Sequence, residues 1–285
     1  MKKLVVGHGY LGRLVAARWL AGGHHVYATT RSSERAGEMG REGITPLLCD
    51  VTNPATLGGL PDVDAVVYCI GYDRGSGISM GDVYVHGLEN VLRALPTPGK
   101  LVYVGSSGVY GQSTGEEVTE HAPTEPADES GRLVLEAEQT LRRMLPEAVV
   151  LRFAGIYGPG RLLRSRSVSE GEPIAGDPDR WLNLIHVEDG AAAVSAAEAM
   201  ARPGEIYNVC DDEPVRRRDF YRLLANLLGA PEPRFVPPPA DPPPPGHERT
   251  HRRIVNRRLR TELELTLRYP SYREGLPAAA AADAR

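Results

Sequence analysis

Gly7, Gly9 and Gly12 stand at G-x-G-x-x-G spacing in the run Leu4-Val5-Val6-Gly7-His8-Gly9-Tyr10-Leu11-Gly12-Arg13. A short apolar segment precedes them, and a helical pattern through Leu11, Val15, Ala16, Trp19 and Leu20 follows. The spacing alone is weak, but a strand before it and a helix after it make a phosphate cradle. Gly7 would permit the tight turn. Gly9 would let backbone N–H groups approach a pyrophosphate, and Gly12 would let the helix lie close on the strand. Tyr10 and Leu11 lead into that helix, whose start offers free N–H donors and the positive end of the dipole. The plainer reading is a glycine-rich turn without a ligand; the placement of strand and helix outweighs it.

A second group closes the next strand-like segment, Tyr27-Ala28-Thr29-Thr30-Arg31-Ser32-Ser33. A site for the ribose 2′-OH of NAD wants an acid here, whereas an arginine accommodates the 2′-phosphate of NADP. The chain offers Thr30, Arg31, Ser32 and Arg35 and no acid among the closing residues, so NADP(H) is expected in preference to NAD(H), which is still possible. Arg31 as a solvated loop charge is the blander alternative. Strand order puts Asp50 where a carboxylate meets the adenine amino group. It puts Cys69, Ile70 and Gly71 where backbone meets the adenine ribose.

The elements that must position these residues alternate along the first two thirds of the chain. Strands are expected at Lys3–Val6, His25–Thr29, Thr45–Leu48, Ala65–Ile70, Lys100–Val104 and Val149–Phe153. Helices are expected at Leu11–Leu20, Asp82–Leu95 and Ser130–Leu145. Such alternation predicts an α/β protein with a Rossmann-type doubly wound parallel sheet. The apolar runs Val63–Ile70 and Leu101–Val104 fit strands covered on both faces. An alanine-rich helix at Asp189–Met200 and a strand at Ile206–Val209 complete the sheet. The dinucleotide-binding domain is therefore expected at residues 1–160, completed by about 185–209. Residues 161–184 and 210–285 form a small substrate-side domain with helices at Asp219–Leu228 and near Asn256–Leu265. The proline-rich segment Pro231–Pro245 reads as a stiff surface connection unable to hold a ladder. The tail Ala278–Arg285 reads as frayed.

The 285 residues carry a net charge of −4, which gives no nucleic-acid footprint. Lys2, Lys3 and Lys100 are the only lysines. Cys49, Cys69 and Cys210 show neither disulfide nor metal-ligand spacing, and the adjacent His24 and His25 lack a third ligand, so no metal and a reducing, cytoplasmic setting are expected. No signal peptide and no membrane-spanning stretch are visible.

The segment Val104-Gly105-Ser106-Ser107-Gly108-Val109-Tyr110-Gly111, taken with the N-terminal glycines, resembles the extended short-chain dehydrogenase/reductase superfamily in its NAD-dependent epimerase/dehydratase branch. Leu151-Arg152-Phe153-Ala154-Gly155-Ile156-Tyr157-Gly158-Pro159-Gly160-Arg161, Asn183-Leu184-Ile185-His186-Val187-Glu188-Asp189 and Tyr207-Asn208-Val209 resemble further segments of that branch. The resemblance implies a catalytic Ser, matched by Ser106 with Ser107 beside it, then a Tyr acting as acid/base and a Lys spaced Y-x-x-x-K. The Tyr and Lys are missing. Their places read Ser130 and Val134, and none of the three lysines lies four residues after a tyrosine. A serine hydroxyl is too weak an acid to replace a phenol near neutral pH, and valine stabilises no charge. The pattern is most similar to an atypical subgroup that keeps the fold with Ser-Gly-Arg in place of the dyad.

Tyr110, Arg132 and Arg161 are the substrate-side candidates. Tyr110 has equivalents in the family that are mostly structural or line the pocket. Arg132 is either aimed at the cofactor ribose or substrate, or solvated beside Glu129 or Glu136. Arg161 either binds a substrate anion at the cleft rim or is a surface charge. His186 reads as a satisfied core histidine and His8 as a variable loop residue. Arg216-Arg217-Arg218 reads as a solvated face. Two functional classes follow: an NADP-dependent oxidoreductase or epimerase acting on a small molecule, and a dinucleotide-binding sensor or scaffold without hydride transfer. A homodimer through Asp82–Leu95 and Ser130–Leu145 is implied by the resemblance. The apolar residues Val83, Leu88, Val91, Leu92 and Leu95 exceed what one sheet-facing stripe requires.

Overall fold

The protein was analysed as a computed structural model describing residues 1–96, 99–238 and 250–283. The first half runs β1 (Lys2–Val6), α1 (Gly12–Ala21), β2 (His25–Thr30), α2 (Ser33–Arg41), β3 (Thr45–Leu48), β4 (Ala65–Tyr68), α3 (Gly87–Ala94) and β5 (Lys100–Ser106). It continues through β6 (Glu117–Val118), α4 (Glu129–Met144), β7 (Val149–Phe153), β8 (Gly155–Tyr157), α5 (Ser165–Ser169), β9 (Ile174–Ala175), β10 (Trp181–Leu182) and β11 (Leu184–His186). Then follow α6 (Val187–Met200), β12 (Ile206–Val209), β13 (Val215–Arg216), α7 (Arg217–Leu228), β14 (Phe235–Val236), β15 (Arg253–Ile254) and two helices, Arg257–Glu262 and Tyr272–Asp283.

Seven strands form one parallel sheet in the order β3-β2-β1-β4-β5-β7-β12. The chain order reverses between β1 and β4, which opens a crevice at their carboxyl ends. Alternate residues of the central strands enter two separate cores. Val5, Val67, Val102 and Leu151 pack with α1 and α6, through Val15, Trp19, Val194 and Ala197. Leu4, Val66, Leu101 and Val150 face the other way, against Leu88 and Val91 of α3 and Ala137 and Leu141 of α4. Both sets are apolar because helices cover both faces.

A third core gathers Tyr157, Val168, Ile174, Leu184, Phe220, Leu224, Tyr272 and Leu276 from the later part of the chain. Leu259, Leu263 and Leu267, from the stretch 210–285, pack with the first core. Some local expectations need correction. The tail is not frayed through Ala278: Tyr272–Asp283 is a helix whose Leu276 and Ala279 are fully buried. Alanines favour helix intrinsically, and one apolar side is anchored in the third core. Within Pro231–Pro245, Phe235 and Val236 do pair, in parallel with Ile174 and Ala175, because neither is a proline; residues 239–249 lie outside the described residues. The single helix expected at Asp82–Leu95 is a π-helical turn, Asp82–His86, running into α3. Its apolar residues are spent inside the protomer, Val83, Leu88 and Val91 being buried and Leu92 and Leu95 packed against the second core. No described helix is long and apolar enough to cross a membrane.

Candidate active site

The glycine loop sits at the sheet's crevice, and each glycine is required for a separate reason. Gly7 has φ +104°, and a Cβ there would lie 2.8 Å from the Cys69 carbonyl oxygen. A Cβ on Gly12 would lie 2.1 Å from the Gly7 carbonyl oxygen, so only glycine lets α1 start this close to β1. Around Gly9 nothing lies within 4 Å, so this is open space at the start of α1, where no side chain caps the helix. That is the arrangement a pyrophosphate needs. Thr29 contributes a support that the sequence reading passed over: its Oγ1 accepts the Gly7 N–H at 2.9 Å. Cys69 lies beneath the loop, its Sγ donating to the Gly7 carbonyl at 3.1 Å, and burial pushes its thiol up to about 12. Its side chain is therefore packing and not a ligand group. Leu11 is buried in the first core. The Tyr10 hydroxyl donates to the Pro159 carbonyl at 2.9 Å, and the ring lies between the Arg13 and Arg161 guanidiniums.

A cleft of about 250 Å³ extends from this loop and is lined by Gly7, His8, Gly9, Thr30, Arg31, Asp50, Ile70, Gly71 and Val83, among others. Of the cofactor candidates, Gly7, Gly9, Thr30, Arg31, Asp50, Ile70 and Gly71 are thereby brought together, whereas Tyr10, Leu11, Gly12, Ser32 and Cys69 lie outside the lining. Asp50 Oδ1 accepts the backbone N–H and hydroxyl of Thr52, which fixes its carboxylate at the cleft wall. Ser32 caps α2 through Oγ, which accepts the Arg35 N–H at 3.2 Å, and Arg31 is exposed at the mouth. His8 is not a variable loop residue in the ordinary sense. It is 9% exposed, lines the cleft, and neither ring nitrogen has a partner; burial is the main cause of its lowered pKa, with Arg35 next.

A second cavity, of about 350 Å³, opens at the carboxyl end of β5 and is lined by Ser106, Ser107, Asp128, Ser130, Val134, Trp181, Asn183, Thr250 and Arg252, among others. Ser106 Oγ accepts the Gly108 N–H at 3.0 Å. Its own hydrogen is left to donate to a reacting oxygen. Gly131 is forced by close packing, since a Cβ there would lie 2.5 Å from the Gly108 carbonyl oxygen. It brings α4 against the Ser106 loop, and Asp128 Oδ1 caps that helix by accepting the Gly131 N–H. Ser130 and Val134, expected at the places of the family's Tyr and Lys, both line this cavity.

The substrate-side candidates fare differently. Tyr110 is not at the cavity. It is fully buried, its hydroxyl donating to Asn208 Oδ1 and accepting from Arg152 Nη1 at 2.8 Å. Arg152 also pairs with Glu138 at 2.5 Å, and Glu120 Oε1 accepts the Asn208 N–H. Tyr110 is thus spent in a closed polar network: it follows the turn Ser107–Val109 and packs with Val118, Cys210 and Ile254, outside the cavity lining. Arg132 is exposed on α4 and Arg161 is exposed over Tyr10, and neither lines the second cavity. His186 is buried and half satisfied: Nδ1 accepts the Glu188 N–H, whereas Nε2 has no partner.

Arg252 is the residue the sequence reading missed. It is 6% exposed and donates from Nη2 to the Ser107 carbonyl at 2.8 Å, leaving Nε and Nη1 without partners. Burial pushes it down to about 10. Its signal was hidden in Arg252-Arg253 of an arginine-rich stretch, 145 residues from Ser107. No group of His, Cys, Asp and Glu among the described residues could hold a metal ion.

Residues 3–210 match the NAD dependent epimerase/dehydratase family. The protein YeeZ of Escherichia coli (strain K12) is 32% identical over 248 residues, covering 82% of this chain and 87% of that protein. A 3-diazoavenalumate denitrifying reductase from Streptomyces sp is 27% identical, covering 95% of this chain and 96% of the reductase. Among solved structures, a putative NAD-dependent epimerase/dehydratase from Methylobacillus flagellatus superposes with a TM-score of 0.79 at 33% identity, covering 100% of this chain and 99% of that one. With the glycine cradle and the seven-stranded parallel sheet, these likenesses show that the chain belongs to the NAD dependent epimerase/dehydratase family.

Proposed function

We propose that the protein is an NADP(H)-dependent oxidoreductase or epimerase acting on a small molecule in the Ser106 cavity. The observation that carries this reading is the Ser106 hydroxyl, held by the Gly108 N–H at the mouth of a cavity on the sheet's ligand-binding edge. The cofactor would supply or accept hydride. Gly7, Gly9, Gly12 and the start of α1 would hold its pyrophosphate, Asp50 the adenine amino group, and Cys69, Ile70 and Gly71 the adenine ribose through backbone. Arg31 would meet the 2′-phosphate beside Thr30 and Ser32. Support for NADP(H) over NAD(H) is the absence of an acid closing β2, together with an exposed arginine at that point of the cleft. The three cysteines are free, which fits a reducing, cytoplasmic setting.

A second reading is favoured by a specific observation. The cavity presents Ser130 and Val134 where the family's phenol and ammonium stand, so a dinucleotide sensor without hydride transfer is its natural alternative. Nicotinamide absorbance during a screen of keto, aldehyde and sugar-nucleotide compounds separates the two. Turnover of any of them supports the enzyme; tight NADPH binding with no turnover supports the sensor. The homodimer stands as a proposal from the family resemblance alone, since Val83, Leu88 and Val91 are buried within the protomer and Leu92 and Leu95 are half-buried against the second core. A strictly monomeric mass in light scattering at micromolar concentration would overturn it.

A further inference from the structure

We propose that the Ser106 cavity recognises an oxyanion on its ligand, a carboxylate or a phosphate, through the two unpartnered nitrogens of Arg252. The inference rests on reading that cavity as the substrate side. Arg252 is 6% exposed and lines the cavity with Ser106, Ser107, Ser130 and Asn183. Nη2 is committed to the Ser107 carbonyl and the backbone carbonyl of Arg252 accepts from Asn183 Nδ2 at 3.0 Å, so both the head and the base of the side chain are fixed. Nε and Nη1 have no partner among the described residues, and no described carboxylate pairs with the guanidinium. Asp128, on the same wall, is engaged by the Gly131 N–H.

A buried guanidinium left unpaired is expensive, and proteins ordinarily satisfy it. This fold does so elsewhere: Arg152, equally buried, spends Nε and Nη2 on Glu138 and Nη1 on Tyr110 and the Glu120 carbonyl. Arg252 differs in that it lines a cavity and that Nε and Nη1, both buried, have no protein partner among the described residues. Arginine is suited to oxyanions because its donors are fixed in a plane and its charge persists at neutral pH. The oxyanion would then sit within reach of the Ser106 hydroxyl, which places the charged group of the ligand at the reacting end of the cavity and not at its rim.

Benzoate, phenyl phosphate and the neutral isostere benzamide test this on the full-length protein, by calorimetric titration with and without NADPH. Benzoate or phenyl phosphate should bind about ten-fold or more tightly than benzamide. Whichever of the two binds better identifies carboxylate or phosphate. Arg252→Met should erase the preference, leave NADPH affinity unchanged, and hold or raise the melting temperature because an unpaired charge is removed. Arg252→Lys, which keeps the charge, should retain part of the preference. Equal affinity of the wild-type protein for all three probes, or no binding of either anion, would overturn the proposal without any variant needing to fold. Turnover of a neutral compound alongside that result would leave the enzyme reading intact. Anion binding without turnover of any compound would do the reverse.

Discussion

Ser106 is the one member of the family's usual triad for which the sequence offers a match, and its geometry states what the proposed role asks of it. It accepts from the Gly108 backbone and has one hydrogen to give. Replacing it by alanine should lower turnover by about a hundred-fold, the usual cost of one transition-state hydrogen bond. NADPH affinity should not change, because Ser106 lies outside the cleft next to the glycine loop. Ser130→Ala should do little; an inactive Ser130→Ala beside a healthy Ser106→Ala would make Ser130 the heir of the lost tyrosine. Arg31→Ala should weaken NADPH by about ten-fold and leave NADH nearly unchanged, as expected for one charge-assisted contact. Equal losses in fluorescence titrations with the two cofactors would remove Arg31 from the 2′-phosphate. At this scale the cofactor end was legible because its residues are near neighbours in sequence, and spacing alone carries their geometry. Tyr110 and Arg252 were not legible. Where the tyrosine after the Ser107–Val109 turn is buried, and which arginine of the late stretch is buried, are decided by packing between segments more than 40 residues apart.

The glycine loop is where element and chemistry can be separated by substitution. Gly12→Ala drives a methyl group into the Gly7 carbonyl, against rigid backbone. It should destabilise the protein by about 1–3 kcal/mol, as overpacking does, and disturb the loop with it. Gly9→Ala meets no atom within 4 Å, so its melting temperature should match wild type. Its methyl group would nevertheless enter the space proposed for the pyrophosphate, so NADPH binding should fall sharply. A Gly9→Ala protein that binds NADPH normally would remove the pyrophosphate from that position. The elements were read well from periodicity, since alternating strands and amphipathic helices write their burial into the sequence. Boundaries moved where backbone pairing decides. β5 extends to Ser106 because Gly105 and Ser106 still pair with Arg152 and Phe153. The π-helical turn at Asp82–His86 left no such trace, although it brings Val83 to the cofactor cleft.

Across the whole molecule, the junction between the sheet and the third core carries an electrostatic load. Asp211 is 2% exposed and, among the described residues, accepts one weak bond, from the Glu213 N–H at 3.3 Å, while Oδ2 has no partner there. Burial raises its pKa well above the ordinary carboxylate value, and Asp212, Glu213 and Asp189 add to the effect. The Tyr157 hydroxyl is buried and unpartnered in the same region, and Asp211 is its main charged neighbour. Asp189, by contrast, is satisfied by the backbone N–H groups of Arg268 and Tyr269. The folded protein therefore holds the Asp211 proton more tightly than the unfolded chain does. Its stabilising contribution is complete below the unfolded value near 4 and is lost as pH rises through the raised folded value. Asp211→Asn keeps the shape and removes the titration. The variant should match wild type in acid and exceed it by ~1–3 kcal/mol at neutral and alkaline pH, the scale of an unsatisfied buried group. Denaturant melts of both proteins at several pH values measure the difference directly. A difference that does not grow with pH, or a variant less stable at pH 8, would show that the Asp211 carboxylate is paired in solution after all.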